Sequence, residues 1–282
     1  MLQHPWFWER LGARVPLVCA PMGGAAGGRL AAAVSAAGAV GMIGLGSSGS
    51  PQLFARELTA WQAHRSGSQL GVGLVGWLLD RYPKLLDEVL ASGPSLLSVS
   101  FGEHTGDTPD WVSKARDMNV LTVTQVATAD EAKRAYQSGV DALVARGFEG
   151  GGHGDPAVTR DELLTEILEA LPSTVPVLAA GAISDAATVR HVLSLGASGV
   201  WVGTAFIACP ESLMTDDQRE IVLAAGNGDT RVTREYDIAA GLPWPERFPE
   251  RVISGTPVNA GMGVGGVRSV RSAAEVVREL RG

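Results

Sequence analysis

Short apolar runs recur along this chain, each followed by a polar, helix-patterned stretch. The runs are Val15–Met22, Val40–Leu45, Leu70–Val75, Leu96–Phe101, Val120–Val126, Leu143–Gly147, Val175–Ala180 and Gly199–Phe206. They are rich in β-branched and other aliphatic residues, and they are continuous rather than alternating, as strands buried on both faces are. Helix signals fill the gaps. Gly28–Ala37 is alanine-rich and stops at Gly38, Ser50-Pro51 opens the next helix, a third covers Pro83–Ala91, and Thr108-Pro109 starts a fourth. Thr128 with Glu131 forms a capping box for a helix ending at Gly139, and Thr159 with Glu162 forms another before Pro172. Ser184 is placed to cap a helix that ends at Gly196. Eight strands in regular alternation with capped helices predict an α/β fold, a (β/α)8 TIM barrel. An open doubly wound sheet is the alternative, because local pattern does not show closure.

The regularity ends after the eighth run. Thr215 and Gln218 cap a helix to Gly226, and Ala273–Arg281 supplies a closing helix. Between them Thr230–Asn259 is too long for an ordinary connection, and Trp244 sits between Pro243 and Pro245. The stretch 210–260 therefore reads either as a flap over the barrel mouth or as a wrap on its outside. The expected organisation is one domain over 1–282, within the usual size of such a barrel.

Composition narrows the function. The chain has 30 Asp+Glu against 23 Lys+Arg and no basic stripe, which argues against nucleic acid as a partner. Met1–Arg14 lacks a signal-type apolar core, and Leu30–Gly46 is broken by Gly38, Gly41 and Gly44, so no membrane span is expected and the location reads as cytoplasmic. Cys19 and Cys209 cannot build a disulfide framework, lack metal-ligand spacing, and read as small buried residues. No metal site is expected, and the pattern leaves room for a homo-oligomer. Gly44-Leu-Gly-Ser-Ser-Gly49 matches a dinucleotide fingerprint, but it follows the second strand and no acidic residue stands about twenty residues later. It reads as a glycine-rich turn.

In a barrel the chemistry sits at the carboxyl ends of the strands. The sixth run ends at Arg146 and leads into Gly147-Phe-Glu-Gly-Gly-Gly-His153-Gly-Asp-Pro156. Glycine backbone can approach a ligand closely, and a histidine titrating near neutrality suits acid–base work, although a solvated glycine turn would look the same. The first run ends in Ala20-Pro21-Met22-Gly23, suited to support a flat ring. Gln125 ends the fifth and offers an amide to a heterocycle. Gly181, Ala182, Gly203 and Thr204 follow the seventh and eighth runs, where such barrels commonly bind phosphate, although tight turns alone would also call for those glycines.

Pro21-Met22 with its alanine-rich helix, Arg146-Gly-Phe-Glu-Gly-Gly-Gly-His153, Ala179-Ala-Gly-Ala-Ile183 and Val202-Gly-Thr204 occur in an order that resembles the nitronate monooxygenase family, formerly described as 2-nitropropane dioxygenase. Tyr236-Asp-Ile-Ala-Ala-Gly-Leu-Pro-Trp-Pro245 also resembles a late stretch of some members. The resemblance implies an FMN-binding barrel that oxidises alkyl nitronates, or nitroalkanes, with dioxygen, releasing a carbonyl compound and nitrite. It implies His153 as the catalytic base and phosphate held by Gly181, Gly203 and Thr204, with Ala182 beside them. Ala20, Pro21, Met22, Gly23, Gln125, Arg146 and Gly151 would line the rest of the cofactor site. Members often carry glutamine at Arg146, alanine at Gly150, a second glycine at Ala182 and asparagine near Gly73. Arg146 could stabilise a reduced flavin, bind an anionic substrate, or pair with Glu149. Two further readings stay open: an NAD(P)H-dependent flavin reductase acting on quinones or enoyl thioesters, and a flavin-binding barrel without turnover. A nucleotide dehydrogenase would need a cysteine in the loop after the sixth strand, and none is there.

Overall fold

Eight parallel strands form one sheet in the computed structural model, which describes residues 3–66, 69–102, 107–155 and 157–282. They are β1 (Leu17–Cys19), β2 (Met42–Leu45), β3 (Gly71–Val75), β4 (Leu96–Ser100), β5 (Leu121–Val126), β6 (Ala142–Arg146), β8 (Val177–Ala180) and β9 (Gly199–Val202). The order β1-β9-β8-β6-β5-β4-β3-β2 is closed by a parallel bridge between Val18 and Val40. There the Cys19 N–H donates to the Val40 carbonyl at 2.8 Å, and the Val40 N–H donates to that of Leu17 at 2.9 Å. The sheet is a barrel, and the open alternative is excluded.

Alternation hidden in the apolar runs becomes visible as two cores. Val18, Met42, Leu96, Val123, Val144 and Leu178 fill the barrel interior, while Leu17, Cys19, Ile43, Leu97, Leu143 and Ala145 face the helices. Both faces are dry, so both carry aliphatic residues. At the amino-terminal end a short helix, Pro5–Arg10, and Leu11 close the interior. Phe7, Trp8 and Leu11 are buried there, and Trp8 Nε1–H donates to the Ser198 carbonyl at 2.9 Å. The same inward register, continued to the other end, puts Ala20, Gln125, Arg146, Ala180 and Trp201 at the carboxyl mouth.

Several boundaries differ from the sequence reading. β1 is confined to Leu17–Cys19, and β9 stops at Val202 because Gly203 turns the chain into a short helix, Thr204–Ile207. Asp185, not Ser184, caps the helix Ala186–Ser194, its carboxylate accepting from the Thr188 N–H at 2.7 Å. Thr128 caps its helix, but Glu131 accepts from Ala127 rather than completing the box. The boxes at Thr159 and Thr215 are complete, as is one at Ser272–Glu275. Gly44 packs against the Pro21–Met22 backbone and Gly49 closes a turn on Gly46, so this stretch is a close-packed turn. Pro156, expected to stop the histidine loop, lies outside the described residues. Cys19 and Cys209 are both buried, and burial raises both thiol pKa values, that of Cys209 to about 12. No helix among the described residues is long and apolar enough to cross a membrane.

A second, three-stranded sheet lies over the barrel mouth. β7 (Gly152–His153) pairs antiparallel with β11 (Glu250–Ile253), and β11 pairs antiparallel with β10 (Thr230–Thr233). Between β10 and β11 run a short helix, Glu235–Ala239, and the segment carrying Trp244. Trp244 is buried against Trp77, Phe101 and His153, residues that follow β3, β4 and β6.

Candidate functional site

A cleft of about 590 Å³ opens at the carboxyl mouth. Ala20, Pro21, Met22 and Gly23 line it from the end of β1, Gln125 from β5, and Arg146 from β6. Gly151 and His153 line it from the histidine loop, Gly181 and Ala182 from the turn after β8, and Gly203 and Thr204 from the turn after β9. All twelve residues singled out in the sequence thus border one space, of a size usual for a cofactor or small-ligand site.

Local backbone explains much of its shape. Gly73 has no Cβ where the Pro21 ring rests, so Pro21 can sit across the top of β3. Gly181 has φ +123° and Ala182 φ +48°, two successive residues with positive φ. Such a conformation costs roughly 1–3 kcal/mol at a non-glycine residue and gathers at ligand-facing turns. Gly263 packs directly on Ala182. The Thr204 hydroxyl accepts from the Gly261 N–H at 2.9 Å, and its own proton stays available. Gln125 is held through its backbone N–H, which donates to Ser100 Oγ at 3.2 Å, while its side-chain amide has no partner among the described residues.

Arg146 does not pair with Glu149. Its Nη2 donates to the carbonyls of Gly150, Gly151 and Gly152 at 2.8, 3.2 and 3.0 Å. The Glu149 carboxylate instead accepts from the backbone N–H of Arg160, whose side chain reaches the Gly181 carbonyl at 2.7 Å. A buried guanidinium has to find oxygen acceptors, and the glycine run supplies three in succession. Burial and neighbouring Arg251 lower the Arg146 pKa to about 10, so it is cationic at neutral pH.

His153 is wedged between two partners. Its ring lies parallel to Trp244, with centroids 3.5 Å apart and planes within 6°. Its Nε2–H donates to Asp237 Oδ2 at 2.9 Å, which leaves Nδ1 without a hydrogen-bond partner among the described residues. Burial lowers the histidine pKa, Asp237 opposes that shift, and the charge of Arg146 adds to it. The neutral ring, with its proton on Nε2, is the form this environment selects.

Behind this pair stands Glu250, directly opposite His153 across β7 and β11. Burial and the charge of Asp237 raise its pKa to about 7. The sequence reading named neither Asp237 nor Glu250. Asp237 lies inside the quoted stretch Tyr236–Pro245 and could have been singled out as its one carboxylate before Trp244, whereas nothing local marks Glu250. Asn259, Phe101 and Ser47, which also border the cleft, were missed as well.

A closed parallel barrel bearing such a cleft at its carboxyl mouth falls in the TIM-barrel class, whose ligand sites lie at that end. Residues 63–241 match the nitronate monooxygenase family model, and the chain belongs to that family, whose members are flavin-dependent. A nitronate monooxygenase of Pseudomonas aeruginosa is 30% identical, the match covering 84% of this chain and 79% of the relative. An octahydro-indene-carboxyl-CoA dehydrogenase of Rhodococcus jostii is 29% identical over 94% of this chain and 70% of its own length. Among solved structures, FabK from Thermotoga maritima superposes with a TM-score of 0.82 at 22% identity, over 96% of this chain and 93% of that one. A nitroalkane oxidase from Streptomyces ansochromogenes gives 0.81 at 23% identity, over 97% and 96%. At that identity the two structures speak to the fold alone.

Proposed function

We propose that the cleft binds FMN and oxidises alkyl nitronates, and nitroalkanes after deprotonation, with dioxygen, yielding a carbonyl compound and nitrite. The observation that carries this reading is the orientation of His153. Asp237 holds Nε2–H, so Nδ1 is the unprotonated nitrogen of a residue that borders the cleft, and the lowered pKa keeps it so at neutral pH. FMN, when bound, supplies the electron-accepting chemistry and returns the electrons to dioxygen. The residues present fit it. The turns after β8 (Gly181, Ala182) and β9 (Gly203, Thr204) border the cleft and offer backbone N–H groups to a phosphate, and the Gln125 amide, which has no partner among the described residues, can donate to and accept from a heterocycle. Ala20, Pro21, Met22 and Gly23 offer a flat support, and Gly151 lets backbone approach the ring. Arg146 contributes a fixed positive charge from its position under the glycine loop. The segment 230–260 acts as the flap, since Trp244 closes the space over His153.

His153 then has one task, removal of the carbon-bound proton of a neutral nitroalkane. A nitronate has already lost that proton. His153→Asn is expected to slow flavin reduction by nitroalkanes roughly a hundred- to ten-thousandfold while affecting matching nitronates far less. Anaerobic single turnover with both substrates, at equal FMN occupancy, is the measurement. Equal losses on both would remove His153 from the role of carbon base.

A second reading is favoured by one feature. A side cavity of about 240 Å³ adjoins the cleft through Phe101, Gln125 and Arg146 and is bordered by Arg134 and Arg247. Arg247 is ion-paired with Glu131, which also borders the cavity, so Arg134 is the cation placed to meet a phosphate of an acyl-CoA or of a nicotinamide nucleotide. Reduction of the bound flavin by NADH or NADPH, with no response to any nitro compound, would put this reductase reading in place of the first.

A further inference from the structure

His153, Asp237 and Glu250 bring one ring nitrogen and two carboxylates together, their ligand atoms all within 4.8 Å of one another. Asp237 and Glu250 are both 4% exposed. Glu250 Oε1 is fully buried and has no hydrogen-bond partner among the described residues. Its other oxygen lies 3.2 Å from the Asn259 amide, once that amide is turned to donate. Two ionised carboxylates this close and this dry repel each other strongly, and a lone buried carboxylate oxygen is costly. Something positive has to be shared there.

The cations nearby do not supply it. Arg251 follows Glu250 on β11, where alternate side chains leave opposite faces, and it donates to the Phe148 carbonyl at 3.0 Å and to Thr230 Oγ1 at 3.3 Å. Arg146 is committed to the glycine carbonyls. Facing Glu250 are Asp237 from the helix Glu235–Ala239, His153 from β7, the amide of Asn259, and Thr233 across β10. A proton placed on His153 would create an imidazolium in a largely buried ring and within the field of Arg146, both of which lower its hold on a proton. A proton on Glu250 neutralises the acid whose oxygen is unpartnered. It also leaves Asp237 ionised, as an acceptor for Nε2–H.

We propose that Asp237 and Glu250 hold one proton between them on Glu250, and that Glu250 is thereby a positioning residue that keeps Asp237 on His153 Nε2 and Nδ1 free as the base. The consequence for the base rests on the reading of His153 given above, whereas the location of the proton does not. Deprotonation of Glu250 would add a second negative charge beside the ring and strengthen its hold on a proton. The sign for stability follows from linkage. Folded Glu250 keeps its proton up to about pH 7 where an unfolded glutamate releases it, so its contribution is full below the ordinary carboxyl range and is lost as pH rises through about 7.

The test uses the FMN-loaded protein and needs no turnover. Infrared spectra of wild type and Glu250→Gln are compared at about pH 6 and about pH 8, and histidine ¹⁵N shifts are read in the same samples. The expected result is one protonated-carboxyl band in wild type at the lower pH that vanishes at the higher pH and is missing from Glu250→Gln. His153 should show the Nε2–H tautomer in wild type and in Glu250→Gln, because the amide mimics the protonated acid, and should lose it in Asp237→Asn. The melting temperature of wild type should fall between those pH values more than that of Glu250→Gln. No such band, an imidazolium at His153 at the lower pH, or a stoichiometric divalent metal retained by wild type and lost from Glu250→Gln would each overturn the proposal. A protein that passes this test yet oxidises no nitro compound would fail the nitronate reading alone.

Discussion

The two ends of the barrel are closed by opposite means. The amino-terminal end is sealed by Phe7, Trp8 and Leu11 against Val18, Met42, Leu96 and their neighbours, with Trp8 Nε1–H donating to the Ser198 carbonyl. The carboxyl end buries Arg146, Asp237 and Glu250, each held by geometry rather than by apolar packing alone. Burial of hydrocarbon is tolerant of detail, whereas burial of charge requires named partners at hydrogen-bond distance. The first end is therefore expected to carry stability and the second to carry chemistry.

The largest effect should come from the sealed end. Trp8→Ala removes a side chain that is 1% exposed, and such truncations cost roughly 3–5 kcal/mol. Urea unfolding measures this loss. Flavin affinity and reduction rate per folded molecule should change little. If they fall in step with stability, the two ends are coupled through the barrel and the contrast fails.

How far each end was legible in the sequence follows from the same contrast. Continuous aliphatic runs and capping residues are local signals, so the eight strands and most helices could be read directly. Closure could not, because it depends on Val18 meeting Val40. The short helix at Pro5–Arg10 was missed as a plug, since Trp6, Phe7 and Trp8 look alike in sequence yet only Phe7 and Trp8 are buried. The glycine turns and His153 announced themselves by composition and position. Asp237 and Glu250 did not, because their meaning arises only when a segment more than eighty residues downstream pairs with β7 (Asp237 lies 84 residues from His153). The pairing of Arg146 with Glu149 looked reasonable by proximity along the chain, but three glycine carbonyls were nearer in space.

An intermediate effect should come from Arg146→Gln, at the charged end. Glutamine can serve at most two of the carbonyls that the guanidinium now binds, and leaving buried groups unpaired costs roughly 1–3 kcal/mol each before relaxation. Stability should drop by about that amount, and hydrogen exchange over Gly150–His153 should accelerate. Slower flavin reduction should accompany it, because the loop carries His153. Unchanged exchange with altered flavin chemistry would make Arg146 a ligand-facing charge and not a clamp.

The smallest effect, and the sharpest division within the charged end, concerns Trp244. Its indole does two separable things: the ring stacks on His153 at 3.5 Å, and Nε1–H donates to Ser47 Oγ at 2.8 Å. Trp244→Phe keeps an aromatic face and deletes the donor, and Ser47→Ala deletes the acceptor without touching the ring. A net hydrogen bond of this kind contributes roughly 0.5–1.5 kcal/mol. Each single substitution should therefore lower stability by about that amount. The double substitution should cost no more than the larger single one, since the bond is lost only once. Flavin reduction by nitroalkanes should respond to Trp244→Phe more than to Ser47→Ala, because only the former alters the surface against His153. If the two stability losses simply add, the bond to Ser47 contributes nothing and stacking alone holds the segment over the mouth. If both variants slow reduction equally, the segment acts through its closure and the indole face has no separate part in tuning the histidine.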